Sequence, residues 1–399
     1  MVSLNLESAE RPRVLFYVLH LLGVGHVHRA MQLTKAMARA GIDVDIIYGG
    51  VPVEGAAFEA ASVFHLPPIA VTDASYAHYI DGTGAPLSNT WMENRETLLL
   101  KHFATLQPDL ILFEAFPFGR RRVRSEIIAL IEAAKKRTPK PAIVSSVRDI
   151  LQENRKPGRA EETAEWVSRL FDHVLVHSDP ALVELGATFP MFNAIEERVR
   201  YSGFVVKDNP KAAASPPPVD VIVSAGGGAF GHTLMRSAKE AALSDPQERC
   251  WHIIHGQNAD AETKANLRES VSDRITVSRH VDHLSSHMRT AGVTVSQCGY
   301  NTAMDALGAR QDSGCGIVFV PHDLDNQTEQ LRRSQLLEQK GHCVCLPEST
   351  CTATTLLTAI DQARQLEPVN HEIDFSGAAT SARLLKNWAL KANSGGLQR

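Results

Sequence analysis

His26, Glu114, Asp305 and the pair Glu329-Gln330 are the residues whose types and settings can do chemistry on a polar, charged small molecule. Each follows an apolar run closely, and His26 and Asp305 also lie beside glycines. His26 closes Gly23-Val-Gly-His26, just after the run Arg13-Val-Leu-Phe-Tyr-Val-Leu19. An imidazole titrates near neutrality and suits a general base. Glu114, directly after Asp109-Leu-Ile-Leu-Phe113, is the second candidate base or an acceptor contact. Asp305 follows Gly299-Tyr-Asn-Thr302. On a helix starting near Asn301, Thr302 and Asp305 are three apart and Asn301 and Asp305 four apart, so they share a face. A phosphate at that helix start would leave Asp305 about one turn away, roughly 5 Å along the axis. That separation suits a carboxylate bridging ribose hydroxyls. The plainer alternative is a solvated helix acid.

Ser224-Ala-Gly-Gly-Gly-Ala-Phe-Gly231 spells a G-x-G-x-x-G loop through Gly226, Gly228 and Gly231. A dinucleotide site wants an acid after the next strand, and that strand ends His255-Gly256-Gln257. The dinucleotide reading is therefore dropped, and an anion site on bare backbone at Gly226, Gly227 and Gly228 is kept. Glu329 and Gln330 can exchange hydrogen bonds with sugar hydroxyls. Equally, Asn326 with Glu329 three residues later is a capping signature. Gly25, His28 and Arg120 are weaker candidates for an acceptor or anion. Arg120 opens the cluster Arg120, Arg121, Arg122 and Arg124, which fits an anionic ligand, an anionic membrane or a solvated helix start equally well. Asp43-Val-Asp45 and Asp323-Leu-Asp325 read as chance rather than a metal pair. His342-Cys343-Val-Cys345 reads as strand packing. No metal set with proper spacing is expected.

The elements that must position these residues alternate regularly. Buried strands are expected at Arg13–Leu19, Val44–Ile47, Asp109–Phe113, Ala142–Ser146 and His173–His177, with helices over Val27–Ala38, Val123–Lys136 and Glu161–Leu170. Pro67 to Pro86 reads as an irregular, substrate-facing loop. Residues 207–218, with Ala213-Ala-Ser-Pro-Pro-Pro218, read as a linker. The pattern then restarts at Val219-Asp-Val-Ile-Val-Ser224, and further strands are expected at Trp251–His255, Ile275–Val277, Gly292–Ser296, Gly316–Val320 and His342–Leu346. This predicts an N-terminal domain (1–206), a C-terminal domain (219–377) and a last helix (378–399) that can return to the first domain; the resemblance given below implies that the first binds the acceptor and the second the nucleotide sugar. The fold class is α/β, with two Rossmann-like domains facing across a cleft.

The 399 residues suffice for two domains of about 200 residues each. A net charge of −4 gives no general attraction for nucleic acid. No apolar run approaches the roughly 20 residues that span a bilayer, and the polar start Met1 to Arg11 lacks a signal-peptide core. The six cysteines form no disulfide framework. A cytoplasmic protein is expected, with peripheral membrane contact left open.

Ser296-Gln-Cys-Gly-Tyr-Asn-Thr-Ala-Met-Asp305, Val318-Phe-Val-Pro321, Glu329-Gln-Leu-Arg-Arg333 and Leu337 to Gly341 together resemble the donor signature of glycosyltransferase family 28. That family includes the enzyme adding N-acetylglucosamine to the lipid-linked peptidoglycan precursor, and it is related to the UDP-glucuronosyltransferases. Gly23-Val-Gly-His-Val-His-Arg-Ala30 is similar to its N-terminal glycine-histidine loop. Glu114-Ala-Phe-Pro-Phe-Gly-Arg120 and Ser146-Val-Arg-Asp-Ile150 resemble a bacterial branch of the family. The resemblance implies the GT-B fold, a nucleotide-diphosphate donor, most simply a UDP-sugar, and no cofactor. It implies that Gly226 to Gly228 and Gly299, Tyr300, Asn301 and Thr302 hold the diphosphate. Asp305 would hold the ribose, Glu329 and Gln330 would read the sugar, and His26 would be the base of a metal-independent, inverting transfer. The chain departs from the pattern where Asp305 replaces a Glu and where Arg333-Ser334 replaces Asn-Ala. A sugar-nucleotide epimerase or hydrolase, a non-catalytic nucleotide-sugar binder and, third, a dehydrogenase are the rival readings. The acceptor is not named by the sequence.

Overall fold

Strand β1 (Arg13–Val18) carries no side chain that favours water after Arg13, and the rest of it is fully buried. Such a run requires cover on both faces. The computed structural model describes residues 11–21, 25–72, 78–152, 156–207, 216–226, 231–256, 259–323, 328–369 and 371–394. After β1 come α1 (Gly25–Arg39), β2 (Asp43–Gly50), β3 (Ser62–Val71), β4 (Tyr79–Asp81) and α2 (Asn89–Leu106). Then β5 (Leu110–Glu114), α3 (Arg124–Lys135), β6 (Ala142–Arg148), α4 (Arg159–Leu170), β7 (His173–His177) and β8 (Val199–Tyr201) complete the first half. These strands form one sheet in the order β4-β3-β2-β1-β5-β6-β7-β8, parallel except for the β3–β4 pair.

The second half holds β9 (Val219–Ser224), α5 (His232–Ser244), β10 (Trp251–Ile254), α6 (Ala261–Arg268), β11 (Ile275–Ser278) and α7 (Leu284–Arg289). It continues with β12 (Ala291–Ser296), α8 (Tyr300–Ser313), β13 (Gly316–Phe319), α9 (Glu329–Gln339), β14 (Val344–Cys345) and α10 (Ala353–Ala363). Its parallel sheet runs β11-β10-β9-β12-β13-β14. The α/β class and the two-sheet layout match the expectation from sequence. One expectation fails. Much of Pro67 to Pro86 is sheet rather than irregular loop, because β3 runs to Val71 and pairs with β4 through Ile69–Asp81 and Val71–Tyr79. The prolines and glycines there mark an edge hairpin, where a missing N–H costs little.

Each sheet has a point where the strand order reverses. In the first it lies between β1 and β5, in the second between β9 and β12. Ligands of open parallel sheets bind outside the carboxyl ends of strands at that reversal. The final helix α11 (Gly377–Ser394) returns to the first half, where Ala382, Leu385 and Ala389 pack with Val14, Phe16 and Val144. The halves share a further apolar cluster, in which Ile150, Leu182, Val183 and Phe204 meet Tyr300, Met304 and Ile373. Cys343 and Cys345 both touch Ser334, through its carbonyl and its hydroxyl, so packing accounts for them. Among the described residues no cluster of metal-ligating side chains occurs, and no helix is long and apolar enough to cross a membrane.

Candidate functional site

His26 sits in the first turn of α1, past the carboxyl end of β1, and Glu114 is the last residue of β5. The two strands flank the first reversal point, so the sheet itself brings these side chains together. Val27, Ala30, Leu33 and Met37 anchor α1 in the core. His26 Nδ1 then lies 2.8 Å from Glu114 Oε1. Arg29, one turn along, donates to the same oxygen, and its Nη2 is 3.1 Å from His26 Nδ1. The second Glu114 oxygen accepts from Ser146 Oγ at 3.1 Å.

Glu114 has no exposed side-chain surface, whereas His26 keeps 16%. Burial would raise the Glu114 carboxyl, but Arg29 and His26 outweigh it and hold the group below the usual carboxylate range. Burial, reinforced by the charge of Arg120, lowers His26 to about 3. His26 is thus neutral at pH 7. An ionised carboxylate only accepts, so the proton of His26 stays on Nδ1 and the lone pair is on Nε2. That is the tautomer of a general base. Glu114, considered from sequence as an alternative base, is instead enclosed, and what it can do is orient the imidazole.

At the second reversal point, Gly226 follows β9 and the Gly299 turn follows β12. Gly226 has φ +68°, and a Cβ there would lie 3.3 Å from Thr302 Oγ1. Gly256 has φ +78°, and a Cβ on it would meet the Gly226 carbonyl at 2.7 Å. The two glycine turns are therefore packed backbone to backbone beside the start of α8. Gly227 and Gly228, like Gly23, Asp325 and Asn326, lie outside the described residues. Gly299 is the N-cap of α8 and supplies no side-chain cap, so the first amides of that helix are available to an anion. Gly25 of the first domain faces this helix, since a Cβ on it would lie 3.8 Å from Asn301 Nδ2. The start of α1, which carries His26, and the start of α8 thus meet between the two halves.

Asp305 lies in the second turn of α8 and is partly buried. No hydrogen bond from a described residue reaches it. Burial raises its carboxyl to about 6 despite the charges of Lys207 and Arg289. His28, two residues past His26, points to a different side of α1. Burial and the charge of Lys207 lower its titration. Arg120 is half-buried and donates from Nε to the Leu19 carbonyl at 2.7 Å, which places its charge close to His26. Arg121 is held by Glu162, Thr163 and the Arg159 carbonyl and stacks on Trp166. Arg120 and Arg121 are therefore internal braces, whereas Arg122 and Arg124 are exposed.

Two donor-site expectations change. Tyr300 is buried, with its ring between the guanidinium groups of Arg29 and Arg333. Its hydroxyl donates to the His177 carbonyl at 3.1 Å and accepts from Val205 N at 3.0 Å. Its side chain joins the domains and offers only its backbone to a ligand. Glu329 is not a capping residue: both its oxygens are taken by arginines, Arg148 of the first domain and Arg333 at 2.9 Å. Gln330 Oε1 accepts from His322 N at 3.4 Å, which keeps it just beyond β13. The departure at Arg333 has a physical reason, since its guanidinium is fully buried against Asp149.

Sequence reasoning missed Arg29, Asp149, Ser146 and His177 as site-supporting residues. Arg29 was detectable, standing three residues after His26 on a helix. Ser146 and His177 share a subtler signal, each standing at or near the carboxyl end of a buried strand, β6 beside β5 for Ser146 and β7 beside β6 for His177.

The sequence from 222 to 381 matches the glycosyltransferase family 28 C-terminal domain. Among curated protein sequences, none matches the chain. Solved structures match over nearly the full length. The calicheamicin glycosyltransferase CalG4 is 13% identical, covers 96% of each chain and has a TM-score of 0.59. MurG of Acinetobacter baumannii is 15% identical over 96% of this chain and 95% of its own, with a TM-score of 0.56. Arabidopsis thaliana UGT89C1, solved with quercetin, is 13% identical over 97% of this chain and 98% of its own, with a TM-score of 0.57. At these identities the likeness speaks to the fold.

Proposed function

We propose that this chain, whose residues 222–381 match the glycosyltransferase family 28 C-terminal domain and whose fold is that of the GT-B glycosyltransferases, is a glycosyltransferase that moves a sugar from a nucleotide diphosphate, a UDP-sugar in the simplest case, to an acceptor hydroxyl or amine. The observation that carries the proposal is the meeting of two half-sites. The neutral imidazole of His26, set by Glu114, is carried by the start of α1, which meets the start of α8 between the two halves.

In this reading the diphosphate sits against the backbone at Gly226, whose amide donates to Ser224 Oγ at 3.2 Å, and on the amides of the first turn of α8, from Gly299 to Thr302. Positive helix-end charge there favours an anion and favours still more the charge that builds on departure. Asp305, one turn further, accepts from the ribose hydroxyls. Gln330 reaches the sugar, and Glu329 does so only by exchanging one of its arginines. The acceptor's oxygen or nitrogen attacks the anomeric carbon from the first domain. Its proton passes to His26 Nε2, and the bond from the anomeric carbon to the diphosphate breaks with its electron pair leaving on the diphosphate. Direct displacement of this kind inverts the anomeric centre. The chemistry asked of the chain needs no metal, so a chelator should leave the rate unchanged.

The test is a thermal-shift screen of nucleotide sugars against the full chain, followed by turnover of any hit. One nucleotide sugar should raise the melting temperature, and Asp305→Ala should remove the shift. A protein that answers to no nucleotide sugar contradicts the proposal.

A further inference from the structure

The reaction as described uses the His26–Glu114 pair and leaves unassigned a line of buried polar groups behind it. Ser146 Oγ, which donates to Glu114 Oε2, also lies 2.9 Å from His177 Nε2. His177 is fully buried, and its Nδ1 is 3.0 Å from Ser202 Oγ. The carbonyl of the same histidine accepts from the Tyr300 hydroxyl, and Tyr300 is the first residue of α8.

Proton counting fixes the direction of this line. A hydroxyl has one proton to give. If Ser146 gave it to His177, one oxygen of a fully buried, ionised carboxylate would lose its donor, which is a costly arrangement. Ser146 therefore donates to Glu114 and accepts from His177, whose proton must be on Nε2. His177 is neutral as this requires, because burial and the charge of Arg29 lower its titration to about 3. The order is His177 Nε2–H to Ser146, Ser146 O–H to Glu114, and Glu114 accepting His26 Nδ1–H.

We propose that His177 is a positioning residue that acts in two directions: through Ser146 it orients the carboxylate that holds His26 as a base, and through its carbonyl it ties that assembly to Tyr300 at the start of the donor-side helix. The inference rests on reading His26 as the base. His177 touches no reacting atom, so its role is to make the geometry of the acceptor half depend on the seat of the donor half. The charged groups that face His26 are Glu114 from β5, Arg120 from the segment after β5 and Arg29 from its own helix. Those that face His177 are Arg29 and Glu114.

The experiment is nitrogen NMR of the full chain labelled in its histidines, followed downward to about pH 4. In the wild type His26 stays neutral, with its proton on Nδ1, across the range. Ser146→Ala removes one donor from Glu114, so the carboxylate draws the His26 proton more strongly. The His26 titration should rise by about one pH unit and enter the window. His177→Phe should move it the same way, and the double variant no further than either single one. His177→Gln, whose amide can also donate, should keep the wild-type behaviour. The Ser146→Ala and His177→Gln pair decides the matter even where the phenylalanine variant does not fold. A folded Ser146→Ala protein with unchanged His26 tautomer and titration overturns the proposal. Because the readout needs no turnover, a shifted titration in a protein that consumes no nucleotide sugar upholds the positioning role and counts only against the transfer reading.

Discussion

Arg333 of the second domain grips Asp149 of the first with both arms of its guanidinium, Nε to Oδ2 at 2.6 Å and Nη2 to Oδ1 at 2.8 Å. Neither side chain has any exposed surface. The remaining Nη1 donates to the Cys298 carbonyl at 2.7 Å, immediately before the Gly299 turn. A buried pair of this kind adds little over a well-packed apolar pair, but removing one partner strands a charge. Arg333→Met should therefore lower stability by about 3 kcal/mol. Arg333→Met with Asp149→Leu should recover much of that loss. Denaturant titration of the two variants checks the order, and a double variant no better than the single would refute it.

Asp305 pulls stability and binding in opposite directions. Burial raises its carboxyl from the ordinary 3.8 to about 6 in the folded chain. The folded state therefore holds this proton more tightly than the unfolded state. Stability falls as pH rises through those values, and the cost, on the order of 3 kcal/mol, is complete about one pH unit above the folded titration. Asp305→Asn should accordingly be more stable than wild type at pH 8 and no more stable at pH 4. Under the donor reading it should also bind nucleotide sugar more weakly. Melting curves at the two pH values with and without donor separate the effects.

The two carboxylates and the imidazole predict different limbs in a pH profile. His26 remains a free base down to about 3, so kcat should show no acid limb through the ordinary histidine range. Asp305 loses its charge as pH falls through about 6, so donor KM should rise there. His26→Ala should reduce kcat by about a hundredfold or more while leaving donor affinity near wild type. A kcat that drops with a midpoint near 6.5 would refute the enclosed histidine–glutamate pair.

How far the site was legible follows from the range over which each signal acts. Strand, glycine turn and helix start are local, so β1, β9 and β12 and the turns after them could be read from apolar runs and glycines. The position of Asp305 one turn into α8 followed from helical spacing alone. The partners of those residues are contacts at long sequence separation. Glu114 lies 88 residues from His26, and Asp149 lies 184 from Arg333. No periodicity encodes such pairings. Tyr300 shows the same limit from another side, because its place in the motif suggested a ligand contact while the structure uses its ring and hydroxyl between domains. The edge pair β3–β4 was hidden by prolines and glycines that ordinarily mark loops.

Tyr300→Phe tests that junction with a single atom removed. The lost hydroxyl leaves the Val205 amide and the His177 carbonyl without the partner they share. Both sites are buried, so water cannot replace it easily, and an unsatisfied buried group costs about 1–3 kcal/mol. The aromatic ring stays, and with it the packing against Phe204. The variant should therefore fold, melt at lower temperature and give faster amide exchange around Val205. Were Tyr300 a donor contact through its hydroxyl, the substitution would instead weaken nucleotide-sugar binding while leaving the melting temperature of the free protein unchanged. Comparing melting curves of free and donor-saturated Tyr300→Phe distinguishes these roles, since a junction residue lowers both curves by a similar amount.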